Sequence, residues 1–209
     1  MDWEELKQNW SSKRDRANNP LFFNYKFSTE NPYLNATIPE IHQAMGSQNL
    51  VEALLAHEAN VQYNVDDAEA WYKLGIKQQE NEREASAISA LKLAIKLKPE
   101  TAQPYLAIAV SYTNESCYMD AYDALVNFLR FNSDYSHLIP PNLPSPTTQD
   151  ELHNFCFDLY LKAVRENTGS LDPDVQIGLG VILNISEDYG KAIDCFRSAL
   201  SAKPEVIPS

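Results

Sequence analysis

Glu80, Val110, Thr113, Asn114 and Asn184 are the residues whose types and spacing could do chemistry, and that chemistry is recognition. An asparagine amide donates and accepts at once. It can therefore bond a peptide N–H and C=O whatever side chains the peptide carries. A carboxylate at Glu80, with Glu69 in helical register, favours a basic side chain, and Val110 offers apolar shape. The stretch "VSYTNES", residues 110 to 116, sharpens the point. Ser111, Thr113, Asn114 and Ser116 crowd about two helical turns, although small polar residues compete for backbone hydrogen bonds and weaken a helix interior. A binding surface would account for them.

Catalysis is not indicated. His42, His57, His137 and His153 fall in different segments, without a carboxylate or cysteine at ligand spacing, so no metal is expected. Cys117, Cys156 and Cys195 form no C-x-x-C pair and read as buried structural thiols in a reducing, cytosolic setting. No Gly-rich phosphate loop occurs, "GLG" at 178 to 180 suits a helix crossing, and no cofactor is expected. The formal net charge of −12 argues against nucleic acid and anionic membrane surfaces and suits a basic peptide. No apolar run reaches the roughly eighteen residues of a membrane span, and "MDWEELKQNW" lacks the apolar core of a secretory signal.

The elements that position these residues are helices. Six glycines against twelve prolines, with Ala, Leu, Glu and Lys dominating between breakers, point that way. Self-similarity recurs at 34 residues. Counting from Ala68, Trp71, Leu74, Gly75, Ala87, Leu91, Ala94 and Pro99 fill the signature of a tetratricopeptide repeat (TPR). That repeat is two antiparallel helices with small residues at their crossing and a proline ending the second. From Ala102, Tyr105, Ile108, Ala109, Tyr112, Ala121, Leu125 and Phe128 correspond, with Ser133 in place of the proline. From Pro173, Leu179, Gly180, Ala192, Phe196, Ala199 and Pro204 do so. A weaker copy spans 34–67, where Ala53 keeps its place but His57 and Asn60 depart. The predicted fold is all-α, a truncated TPR superhelix.

The expected organisation follows. Residues 1–33 are an extension packing on the first repeat through Leu21, Phe22, Phe23 and Phe27, and 34–135 hold three TPRs. Residues 136–172 are a Pro-rich loop plus one degenerate-repeat helix carrying Leu152, Phe155, Leu159 and Ala163. Residues 173–206 are the final repeat. In a TPR array the first helix of each pair lines the concave face, and positions 2, 5, 9, 12 and 13 form one stripe. Those positions are Glu69, Tyr72, Ile76, Gln79 and Glu80; then Gln103, Leu106, Val110, Thr113 and Asn114; then Asp174, Ile177, Val181, Asn184 and Ile185.

Beyond the repeat pattern, "NYKFSTENPYL", "QQENEREASAISAL", "AVSYTNES" and "LDPDVQIGLGVILNISEDYGKAIDCFRSAL" together resemble the receptor for the type 1 peroxisomal targeting signal (PTS1), the peroxin-5 family, over about 25 to 206. The resemblance implies a ring of TPRs that binds a C-terminal Ser-Lys-Leu-type tripeptide. It further implies carriage of matrix proteins from cytosol to peroxisome, with docking proteins at the membrane. By the same resemblance Val110, Thr113 and Asn114 contact the ligand, Glu80 faces the signal's lysine, and Asn184 is a further contact. The family continues through two more repeats and a helical bundle where this chain reads "SAKPEVIPS", so the expectation is a fragment with about half the groove. Self-association through the last helix is a related expectation. The family's aromatic docking motifs have no counterpart, since Trp3 is followed four places on by Lys7 and Trp10 by Arg14.

Three alternatives share the scaffold. A co-chaperone clamp for acidic tails needs Lys, Asn and Arg on the stripe, where this chain has Glu69, Glu80 and Asp174. A paralogous adaptor would bind the C-terminal tails of other proteins, ion channels among them. A pure assembly scaffold would leave the polar stripe solvated.

Overall fold

The computed structural model describes residues 22, 24–141, 148–166 and 171–202. Leu21, Phe23, Trp3, Trp10, Pro204 and most of the Pro-rich stretch lie outside them. The described elements are nine α-helices and two short 3₁₀ turns, and two compact units divide the chain at Cys117 and Tyr118.

In the first unit a 3₁₀ turn, Pro32–Asn35, leads into α1 (Ile38–Met45) and α2 (Leu50–Tyr63). Asn31 opens the turn, accepting from Tyr33 N at 3.0 Å, while its Nδ2 donates to Leu55 O at 2.8 Å. The helices α3 (Ala68–Glu80), α4 (Glu84–Leu97) and α5 (Gln103–Asn114) follow. Asn49 and Asp67 cap α2 and α3 with their side-chain oxygens, satisfying N–H groups that a helix start leaves unpaired. Helices α3 and α4 cross at Gly75, where an added Cβ would lie 2.6 Å from Leu91 Cγ. In the repeats from Ala68 and Ala102 the aromatic at the fourth position stitches the repeat to the turn before it. Trp71 Nε1 donates to Val65 O at 2.8 Å, and Tyr105 OH to Pro99 O at 2.9 Å, both six residues back.

His57 and Asn60, the departures in 34–67, are both buried. Burial pushes the His57 imidazole down to about 4, with Lys77 and Lys73 adding to the effect, so it sits neutral. The N-terminal aromatics dock here. Phe27 and Tyr25 pack against the Leu54, Val61 and Trp71 core, with Tyr25 and Phe27 ring centroids 4.9 Å apart. Tyr25 OH donates to the buried Glu58 Oε1 at 2.7 Å, Ser28 N donates to Glu58 Oε2 at 3.0 Å, and Gln78 donates to the Tyr25 oxygen.

The second unit holds α6 (Tyr118–Phe131), a 3₁₀ turn (Ser136–Leu138), α7 (Gln149–Glu166), α8 (Pro173–Ile185) and α9 (Tyr189–Ala202). Pro173 starts α8 behind the Asp172 cap, the position where a missing N–H costs nothing. Asp172 also accepts from Tyr135 OH at 2.7 Å. Helix α7 buries Leu152, Leu159 and Ala163 as its spacing requires, together with Cys156 and Tyr160, while Phe155 is half-buried. Tyr160 fills the space that Gly178 leaves and donates to Leu125 O at 3.1 Å. Of the cysteines expected to be buried, Cys117 and Cys156 are, but Cys195 is half-exposed. Its helix α9 also leaves Tyr189, Ile193 and Leu200 exposed.

One backbone feature recurs with the repeat. Glu82, Ser116 and Glu187 all occupy repeat position 15 and have φ of 55°, 58° and 64°. The N–H of the next residue closes a six-to-one bond onto the preceding helix: Arg83 to Gln78 O, Cys117 to Tyr112 O and Asp188 to Leu183 O, at 2.8 to 3.0 Å. This left-handed step turns the chain sharply from the first helix of the pair.

Candidate peptide-binding face

The stripe residues of the first unit lie on α3 and α5, whose C-terminal turns are tied together by Gln79. Its Nε2 donates to Ala107 O and to Ser111 Oγ, each at 2.8 Å. Both amide hydrogens are thereby used, leaving Oε1 for other partners. Ser111 is fully buried and serves as the acceptor in this bond.

Glu80 is exposed at the end of α3, and its Oε2 accepts from Lys77 Nζ at 2.6 Å. Glu69, at the other end of the same stripe, pairs with Lys73 at 3.4 Å. Such exposed pairs contribute only about 0–1 kcal/mol. A basic ligand group could therefore take either carboxylate from its lysine at little cost.

On α5, Gln103 and Asn114 are exposed and Val110 is half-buried, while Leu106 and Thr113 are buried. The Thr113 hydroxyl donates to Ala109 O of its own helix at 2.8 Å. What Thr113 offers a ligand is its remaining lone pair and its methyl group. Asn114 Nδ2 donates to Glu84 Oε1 at 2.6 Å, which holds the amide beside the first turn of α4. Glu84 lies outside the stripe and was not anticipated. The contact spans thirty residues of chain, and no periodicity reports it. Lys77, three residues before Glu80, was legible as an i,i+3 partner.

Asn184 belongs to the second unit, in the last turn of α8. It is half-buried, and its side chain makes no hydrogen bond among the described residues. Val181 and Ile185 beside it are buried, and Asp174 and Ile177 are half-buried. An opening of about 530 Å³ lies among α1, α2 and α3, lined by Ile38, His42, Met45, Asn60 and Lys73 with their neighbours. Among the described residues, no group of three or more His, Cys, Asp or Glu could hold a metal ion. No described helix is long and apolar enough to cross a membrane.

A family model described as "Tetratricopeptide repeat" matches residues 68–101 and 173–206, in the registers read from Ala68 and Pro173. The human protein named "PEX5-related protein" is 36% identical over 98% of this chain. The Yarrowia lipolytica protein named "Peroxisomal targeting signal receptor" is likewise 36% identical over 98%. A second protein of that name, from Debaryomyces hansenii, is 38% identical over 75% of the chain. This chain spans 35%, 36% and 27% of the lengths of those relatives.

Proposed function

Because the chain belongs to the tetratricopeptide-repeat family of peroxisomal targeting signal receptors and PEX5-related proteins, we propose that it binds C-terminal peptides of the Ser-Lys-Leu type. The binding would serve delivery of matrix proteins from cytosol to peroxisome, with docking proteins at the peroxisomal membrane as further partners. Binding of this kind is non-catalytic and uses no cofactor.

The observation that carries the reading is the pairing of the α3 and α5 C-terminal turns through Gln79, with Glu80 exposed on one and Asn114 on the other. Glu80 then faces the signal's lysine in place of Lys77. Asn114 bonds the peptide backbone and Val110 with the Thr113 methyl group lines an apolar contact, while Asn184, taken on its own unit, is a further amide suited to a peptide backbone. A net charge of −12 draws a basic segment toward this face.

Fluorescence anisotropy tests this with a labelled peptide ending in Ser-Lys-Leu and a C-terminally amidated copy. The expected result is saturable binding of the free acid, weaker binding of the amide, and a loss of about tenfold, 1.4 kcal/mol, with Asn114→Ala. Equal binding of both peptides, or none up to about 1 mM, where affinity is only about 4 kcal/mol, overturns the reading. A second reading uses the same exposed face, a paralogous TPR adaptor for the C-terminal tails of other proteins. A panel of free-acid tails without the Ser-Lys-Leu ending separates the two.

A further inference from the structure

Glu84 opens α4, and the proposed function gives it no task. Its Oε1 accepts a short bond, 2.6 Å, from Asn114 Nδ2, and an ionised acceptor makes such a bond stronger than a neutral one. Its Oε2 is buried and has no hydrogen-bond partner among the described residues. A buried oxygen without a partner is costly, and a carboxylate at a helix N-terminus recovers only part of that cost. A helix start does not need this carboxylate: Arg83 is the N-cap of α4, and Asn49 and Asp67 cap α2 and α3 by accepting from N–H groups of those helices. Among the described residues, the hydrogen bond that the Glu84 side chain does make is to the exposed amide of the candidate face.

We infer that Glu84 is a positioning residue for Asn114. The inference rests on the peptide-binding reading above. A carboxylate only accepts, so it decides which end of the amide turns toward it. One N–H of Asn114 is captured and the amide plane is fixed. The second N–H and Oδ1 remain for a peptide backbone, which bonds through one donor and one acceptor. An exposed asparagine without this anchor would sample several rotamers and lose that freedom on binding. Holding it beforehand improves affinity without adding a ligand contact.

The test is a double-mutant cycle by peptide anisotropy on the full chain, with thermal melts to establish folding. Glu84→Ala is expected to weaken the free-acid peptide about five- to tenfold. Glu84→Gln, which keeps an acceptor at the same reach, should return affinity to within about twofold of wild type. In an Asn114→Ala background, Glu84→Ala should change nothing further.

A ligand-free readout accompanies it. One side-chain amide proton of Asn114, assigned by its absence in Asn114→Ala, should shift in ¹H–¹⁵N spectra of Glu84→Ala relative to wild type, and by less in Glu84→Gln. Wild-type affinity in Glu84→Ala, or an equal loss in both backgrounds, overturns the role of Glu84 alone. So does an Asn114 amide signal identical in wild type and Glu84→Ala. A wild-type chain that binds none of the peptides overturns the function, and the role of Glu84 with it.

Discussion

Gln79 reaches from α3 to the hydroxyl of Ser111 on α5, Nε2 to Oγ at 2.8 Å. The polar residues in "VSYTNES" therefore have separate tasks. Ser111 receives a bond between repeats, Thr113 bonds back to its own helix, Asn114 is held at the surface by Glu84, and Ser116 takes the left-handed turn.

Removing the donor at Gln79 strands a buried hydroxyl. Gln79→Met should destabilise the chain by about 1 kcal/mol, since Ser111 can recover only a strained bond to its own helix. Adding Ser111→Ala should regain most of the loss, because two apolar partners leave nothing unpaired. Urea midpoints of both single variants and the double variant check this. Strictly additive losses would mean the two side chains do not interact.

Tyr25→Phe removes one of the two groups that, among the described residues, bond Glu58, which is 2% exposed. The expected loss is about 1–3 kcal/mol. The segment around Tyr25 should also open more often, freeing the backbone beside Lys26, whose side chain is already exposed, to enter the trypsin cleft. Faster cleavage at Lys26, read by mass spectrometry, is the expected outcome. Unchanged cleavage and an unchanged melt would show that the aromatic packing on Trp71 suffices alone.

Position 15 of the repeat suits glycine. Glu82→Gly or Ser116→Gly should stabilise by about 0.5–1 kcal/mol, because each relieves a side chain held at positive φ. Glu82→Val, β-branched, should destabilise instead. Denaturant midpoints of the three variants should rank in that order around wild type.

His57 makes stability depend on pH. Its pKa is about 4 in the folded chain, against 6.5 for the free imidazole. Between those values the unfolded chain binds the proton and the folded chain does not. Stability is therefore full above about pH 6.5 and falls as pH drops toward 4, by on the order of 3 kcal/mol. His57→Leu should flatten this segment of the stability–pH curve. A variant curve parallel to wild type across that window would assign the dependence to other groups.

The sequence by itself determined which face each helix turns inward. Period and residue size suffice for that: Gly75 and Leu91 must meet at a crossing, and Glu80, Val110 and Asn114 must share a stripe with Gln79 and Thr113. Asn49, Asp67 and Asp172 with Pro173 start their helices for an equally local reason, since cap and helix are adjacent in sequence. The consumption of the polar groups was decided only by the tertiary structure. Gln79 spends both amide hydrogens on α5, Thr113 is buried, Asn114 is held by Glu84, and Tyr25 secures Glu58 from thirty-three residues away. Periodicity encodes direction, whereas a hydrogen bond depends on a separation of about 3 Å between side chains on different elements. That separation exists only once the helices have packed.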